Sequence, residues 1–401
     1  MKKNKSKRFL IAIIFLSVYT AGVYFYAGES LEGTYINPSV RQIVNQKNIK
    51  EKPVTRLLLI GDAGDPSLIE KEPVLETLQK KASELPGITS ILFLGDNIYP
   101  DGLHEEGHDE RQTSERKLLE QVKVIEESST KGFFIPGNHD WDHNGEAGWG
   151  KILSQVRFFD SLKLKQVSFI PKGGCPGPEV VDLNGKVRLI ILDTQWWLHE
   201  YGRPEDGDKI CFPCTEQAII DSLDSSIKNA DGKFVIVAGH HPVDSYGQHG
   251  GYFEWKDHIF PLRHINENLW IPLPVLGSLY PLARNFGVTT QDISNSKYQN
   301  LKLQLEKVFE KYPASLLYVT GHEHTLQVLN GIADNYYLIS GYGTSTHREG
   351  LRTGERSLFA GSYPGFMQVD FFADGKIKLD VIKPSAPYKN PEIVLSFWIK
   401  E

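Results

Sequence analysis

Arg56-Leu57-Leu58-Leu59-Ile60-Gly61-Asp62-Ala63-Gly64 is the stretch on which the architecture turns. Four apolar residues in a row, with no polar alternation, predict a strand buried on both faces, and the Gly-Asp that follows is turn chemistry. The same device recurs: Ile91–Leu94 before Gly95-Asp96, Phe133–Pro136 before Gly137-Asn138, Phe234–Ala238 before Gly239-His240, and Leu316–Thr320 before Gly321-His322. Val187–Leu192 is a further strand candidate, and helical spacing is found at Pro73–Leu85, Thr113–Glu127, Gly150–Leu162, Glu216–Ile227 and Leu301–Tyr312. That alternation predicts sheet strands joined by helical crossovers. Beyond Thr320 the runs at Val328, Tyr336–Ser340, Gly365–Phe372, Lys376–Ile382 and Ile393–Ile399, with a turn at Asp374-Gly375, read as antiparallel strands, so a mixed two-sheet core is expected.

With 40% apolar and 23% charged residues, a 401-residue chain can bury a large core. Its net charge of −6 offers no basic field for nucleic acid, which is not expected as the main partner. Lys2, Lys3, Lys5, Lys7 and Arg8 form a basic tail at residues 1–8, followed by an uncharged run at 9–28. About 20 residues at 1.5 Å rise reach across a ~30 Å hydrocarbon layer, so the run predicts a transmembrane anchor, with a cleaved signal peptide and a buried core helix as the competing readings. Anchor or signal would place the rest of the chain outside the cytoplasm, membrane-tethered in the first case and secreted or periplasmic in the second. Residues 29–55 read as a tether, and 56–401 as the folded domain. Within it, Ser245–Ser296 is long and rich in aromatics and prolines, which predicts a lid or small cap. The three cysteines cannot form a disulfide framework, and Cys211-Phe212-Pro213-Cys214 lacks the second pair a zinc site needs. Export favours a disulfide from Cys175 to Cys211 or Cys214 with the third thiol free; a local redox pair is the alternative.

Loops at the carboxyl ends of adjacent strands converge, so the five Gly-X turns should bring their polar residues together. Asp62, Asp96 and a deprotonated Tyr99 are hard anionic donors, whereas Asn138, His240 and His322 are neutral donors suited to a divalent transition metal. Two unlike ions bridged by Asp96 follow from that mixture, and two-metal sites serve in-line attack on phosphorus.

The blocks Gly61-Asp62-Ala63-Gly64, Gly95-Asp96-Asn97-Ile98-Tyr99, Gly137-Asn138-His139-Asp140, Val237-Ala238-Gly239-His240-His241-Pro242 and Gly321-His322-Glu323-His324 resemble, in order, those of the calcineurin-like metallophosphoesterases, and among them the purple acid phosphatases. The fourth block is most similar to the animal-type (tartrate-resistant) form, and the likeness covers about residues 56 to 330. It implies a four-layer α/β/β/α sandwich of two mixed sheets with the site at one edge. It also implies Fe(III) held by Asp62, Asp96, Tyr99 and His324, and a divalent Fe, Zn or Mn held by Asp96, Asn138, His240 and His322. His139 is implied to contact substrate phosphate, and His249 stands where a histidine can protonate the leaving group. The implied reaction is hydrolysis of small phosphate monoesters by attack of metal-bound hydroxide, with the alternatives of phosphodiester or nucleotide hydrolysis and of a non-catalytic metal-dependent binding module. Asp65, where glycine is frequent, and the long segment between His240 and His322 depart from the pattern.

Each residue also has a plainer reading. Asp62 could be a helix cap, Asn138 a turn residue, and Tyr99 a core aromatic. His241 reads as packed beside the site, and His104, His108, His143, His199, His258, His264 and His347 as solvated or structural. The run Glu105, Glu106, Asp109, Glu110 reads as a solvated face.

Overall fold

The computed structural model describes the chain except residues 1, 44–50, 206–210, 213, 265, 267, 345–348 and 386–389, and in the first helix it leaves undescribed the side chains of 2–9 and 12. His347 and part of the expected tether lie outside the described residues.

Two mixed sheets form the core. The first has seven strands in the order β15 (Pro391–Lys400), β14 (Ile377–Pro384), β13 (Phe366–Phe371), β2 (Thr55–Ile60), β3 (Thr89–Phe93), β4 (Lys131–Phe134) and β5 (Val167–Phe169), parallel from β2 to β5 and antiparallel elsewhere. The second has eight: β1 (Thr34–Ile36), β12 (Ser357–Gly361), β10 (Leu326–Asn330), β11 (Tyr336–Ser340), β9 (Leu316–Thr320), β8 (Phe234–Ala238), β7 (Val187–Ile191) and β6 (Glu179–Leu183). There β11, β9, β8 and β7 run parallel.

The unalternated apolar runs follow from this stacking. Leu57 and Leu59 pack between the sheets with Leu92, Ile236, Leu317 and Val319, while Leu58, Ile60 and Phe93 point outward into the helices. On that outer side they join Val74 and Leu78 of α2 (Pro73–Ser83) and Leu118 and Val122 of α3 (Arg111–Ser128). On the other sheet, Val235 and Val237 share a cluster with Leu223 of α6 (Glu216–Lys228) and Leu305 of α9 (Ser296–Phe309). Both faces of the central strands are therefore dry. Leu59 has no exposed surface, and Leu59→Ala should cost about 2–5 kcal/mol in a urea titration; a cost under about 1 kcal/mol would mean that the two sheets are not packed there.

Of the remaining helices, α4 (Gly148–Leu162) and α5 (Thr194–Leu198) flank the site loops, and α7 (Trp255–Ile259) and α8 (Leu279–Asn285) lie in the 245–296 insertion. The expected tether adds an edge strand, β1, paired with β12, because its Thr34–Ile36 backbone completes an otherwise open sheet edge. Cys175 bonds to Cys211, and Cys214 stays a buried thiol, which sets aside the local redox pair.

The apolar amino-terminal run is one helix, α1 (Lys2–Ala27). Among the described residues no helix is long and apolar enough to cross a membrane, so the anchor reading gains no support from the fold. A physical reason lies in its docking. Tyr19 Oη is 2.5 Å from Ser278 Oγ, Tyr24 packs edge-on against Trp255, and the Gly28 carbonyl accepts the Trp255 N–H. The insertion touches one side of the last turns of α1, where Phe25 and Tyr26 stay exposed.

Candidate metal centre

The five polar loops meet at the carboxyl ends of the parallel strands of both sheets. Backbone bonds lace them together: Gly61 N donates to Ser340 O, Asp62 N to Gly95 O, and Gly321 N to His240 O. Glycine serves close approach here more than backbone freedom. A Cβ on Gly61 would stand 2.9 Å from the Gly321 Cα, and one on Gly95 would stand 2.6 Å from the His240 ring. It is three of the candidate ligands, Asp62, Asp96 and His322, that adopt left-handed φ of 56°, 53° and 71°. That costs of order 1–3 kcal/mol each, and the surrounding loops hold it.

All seven sequence-derived donors converge. Tyr99 Oη lies 3.1 Å from Asp62 Oδ1, 3.1 Å from Asp96 Oδ2 and 2.9 Å from His324 Nε2. Asn138 Oδ1 lies 3.0 Å from both His240 Nε2 and His322 Nδ1. Asp96 Oδ2 also stands 3.4 Å from His240 Nε2, so one carboxylate oxygen faces both groups.

The atoms that do not face the site are tied down. Asp62 Oδ2 accepts the His322 N–H and Asp96 Oδ1 the His139 N–H, each at 2.8 Å. A carbonyl can only accept, so His240 Nδ1 carries the proton it gives to Leu94 O at 2.8 Å, and His322 Nε2 the proton it gives to Gln291 O at 2.9 Å. These bonds leave His240 Nε2 and His322 Nδ1 as lone pairs aimed inward, the second-layer pattern that orients metal-ligating imidazoles. The residues therefore fit a pair of cations: hard oxygens gather on one side, amide oxygen and imidazole nitrogen on the other.

Burial pushes Tyr99 well above the usual phenol range, and Asp62 and Asp96 add to it. Burial also raises Asp62, whereas Asp96 is held below the usual carboxylate range by His240 and His139 despite burial. Burial works to lower His324, but Glu349, Asp62 and Asp96 raise it to about 9. A cation among these groups would reverse the cost for the phenol, because it favours the anion.

His241 lies within reach of His240 and His322 but is braced on both nitrogens, Nδ1 to Thr194 Oγ1 at 2.8 Å and Nε2 to Gln291 Oε1 at 3.0 Å. It supports the site, as its sequence context suggests. Three further histidines, His139, His143 and His249, line the cavity of about 250 Å³ above the donors. His139 bonds the Pro100 carbonyl through Nδ1 and stacks on Tyr99, which turns Nε2 toward the cavity. His249 stacks on His322 at 3.9 Å, with its Nδ1 bonded to Gln291 O at 2.9 Å.

The residues the sequence did not single out come mainly from the insertion. Arg284 grips Asp292 through Nε and Nη2, and Asp292 Oδ1 stands 3.2 Å from His249 Nδ1. Gln291 braces His241 with its side chain and His322 with its carbonyl. His143, read as solvated or structural, stacks on His139. No motif announces these residues; the only signal is that an insertion separating two site blocks must return beside them. Asp292→Asn should lower kcat about tenfold with little change in KM, since the anionic charge beside His249 is lost while Gln291 O still holds its Nδ1. Unchanged steady-state kinetics would mean that the Asp292 charge does not support His249.

A four-layer sandwich with hard oxygens and imidazoles meeting at its strand ends is an arrangement suited to metal-dependent phosphoester hydrolysis. The model of the calcineurin-like phosphoesterase family matches residues 55–326, and the chain belongs to that family. Purple acid phosphatase 17 of Arabidopsis thaliana is 25% identical over 215 residues, covering 52% of this chain and 58% of its own length. Purple acid phosphatase 7 of the same plant is 24% identical over 268 residues, covering 65% and 71%. A solved purple acid phosphatase from yellow lupin (Lupinus luteus) seeds superposes with a TM-score of 0.53 at 15% identity, over 87% of this chain and 54% of that one, a likeness of fold. The affinity within the family is with purple acid phosphatases, and the relatives named here are plant forms.

Proposed function

We propose that the protein is a binuclear-metal phosphatase that hydrolyses small phosphate monoesters, with Fe(III) beside a divalent Fe, Zn or Mn. One observation carries the reading: Asp62, Asp96, His240 and His322 each turn a carboxylate oxygen or an imidazole lone pair toward the centre, because the partner atom on the same side chain is already bonded to the backbone. Asp62, Tyr99 and His324 would hold the ferric ion, Asn138, His240 and His322 the divalent one, and Asp96 both. The bound pair supplies Lewis-acid charge neutralisation and lowers the pKa of water.

The remaining work falls to the chain. Burial pushes His139 down to about 4, so it is neutral before substrate arrives. A phosphate anion raises its proton affinity, and Nε2 then holds a proton against a phosphoryl oxygen. His249, fixed at Nδ1 by Gln291 and Asp292, presents Nε2 to the leaving oxygen as a proton donor. Location outside the cytoplasm is part of the proposal, supported by the Cys175–Cys211 disulfide.

Among the described residues, Tyr280 is the only aromatic of the insertion that lines the cavity, so a base-stacking wall for nucleotides finds little support. The non-catalytic reading expects a missing donor, and the convergence of the seven side chains speaks against it. The test pairs elemental analysis with a substrate panel: about two metal ions per chain and fastest turnover of aryl monoesters support the reading. Faster turnover of diesters or nucleotides would replace it.

A further inference from the structure

The insertion is amphipathic the wrong way round for a soluble lid. Leu279 and Leu282 of α8 and Phe286, which caps its carboxyl end, share a face by their spacing of three and four. That face looks outward, with Leu279 61%, Leu282 43% and Phe286 81% exposed. The opposite face is the polar one. Tyr280 and Arg284, four apart, bond to each other at 2.8 Å and line the catalytic cavity, where Arg284 grips Asp292 beside His249. Just before α8, Leu276 is 64% exposed, and just after it Val288 is 76% exposed. A contiguous apolar surface of this kind marks a contact site.

Its neighbour indicates what covers it. Ser278, between Leu276 and Leu279, is the residue that Tyr19 of α1 touches, and Tyr24 of the same helix packs on Trp255. Above those contacts α1 is itself bare and apolar, with Phe15 63% and Val18 66% exposed. The two surfaces meet at that contact, and the sequence of α1 begins with Lys2, Lys3, Lys5, Lys7 and Arg8. Apolar surface flanked by a basic cluster suits an anionic lipid leaflet, where such surfaces sink about 5–10 Å into the headgroup boundary. A second copy of the chain would satisfy the apolar face but would gain nothing from the basic run.

We propose that the outer face of α8 and its flanking turns rest on a lipid bilayer together with α1, as one contact within a single leaflet, so that the catalytic cavity opens at the membrane surface. The helix that touches lipid on one side holds the support of His249 on the other. No spanning segment is required, and the contact stands or falls apart from the metal chemistry, because its test reads partition and not turnover.

The full chain is mixed with vesicles of phosphatidylcholine and phosphatidylglycerol and floated on a density gradient. Wild type should float, and Leu276→Glu combined with Leu279→Glu should lower the bound fraction about tenfold, the remainder being carried by α1. Both side chains are exposed, so circular dichroism and phosphatase activity in solution should not change. Val288→Glu alone, a second exposed position, should give a smaller loss of the same sign. Flotation unchanged in the double variant, or absent in wild type, overturns the proposal. So does a dimer in wild type that the double variant dissolves while vesicle binding persists, which would assign the face to a second copy.

Discussion

Asp96→Asn is expected to remove hydrolysis almost completely, by at least about 10³-fold in kcat/KM, which corresponds to about 4 kcal/mol of transition-state stabilisation. The geometry makes this position the most sensitive. Asp96 Oδ1 is held by the His139 N–H, and Oδ2 faces Tyr99 Oη at 3.1 Å and His240 Nε2 at 3.4 Å. An amide of the same shape keeps the first bond through its oxygen and must then turn its N–H₂ toward the centre. A donor replaces the one anionic oxygen that faces both halves of the site, so a cation pair held there would lose the oxygen that neutralises both. Metal content should fall from about two ions per chain to one or fewer, with little change in melting temperature relative to chelated wild type. Wild type treated with chelator should regain activity when metal is restored, whereas the variant should not. Hydrolysis retained by the variant without bound metal would remove the proposed mechanism altogether.

Tyr99→Phe should bleach the protein. A phenol buried beside Asp62 and Asp96 has its pKa pushed up, first by burial and then by the two carboxylates, so as a free side chain it stays protonated. It becomes a phenolate only if a highly charged cation compensates, and a phenolate on Fe(III) absorbs visible light. The wild-type protein should therefore show a visible band that the variant lacks, with activity reduced about tenfold because Asp62, Asp96 and His324 remain. A band that survives the substitution would mean that Tyr99 is not the ligand. A colourless wild type that hydrolyses monoesters would mean that the hard site holds another ion.

The readings that held from sequence are those with local causes. Leu57–Ile60, Phe234–Ala238 and Leu316–Thr320 are recognisable as doubly buried strands because a run without polar alternation can satisfy only a sandwiched strand. Tyr336–Ser340 and the Asp374-Gly375 turn are likewise written in period and turn chemistry; in the structure Gly375 takes φ 90° and Asp374 accepts the Lys376 N–H. What escaped has no local signature. β1 and β12 are strands because an open sheet edge lies beside them, not because their residues insist on it. The apolar run after Arg8 reads as a membrane span by composition, yet its last turns pack on Ser278 and Trp255, partners some 230 positions or more further along the chain.

For the site, the amino-acid sequence by itself determined which side chains could serve: seven donors behind five strand ends, in an order that chance does not readily produce. Tertiary structure alone decided how each one is presented. Which imidazole nitrogen faces inward depends on the Leu94 and Gln291 carbonyls, and which histidine is barred from the centre depends on Thr194. That the insertion shapes the cavity through Arg284, Gln291 and Asp292, while turning its apolar face outward, could not be read in advance. The reason is physical: donor identity is a property of one residue, whereas tautomer, orientation and exposure are set by neighbours that only the folded chain brings within 3 Å.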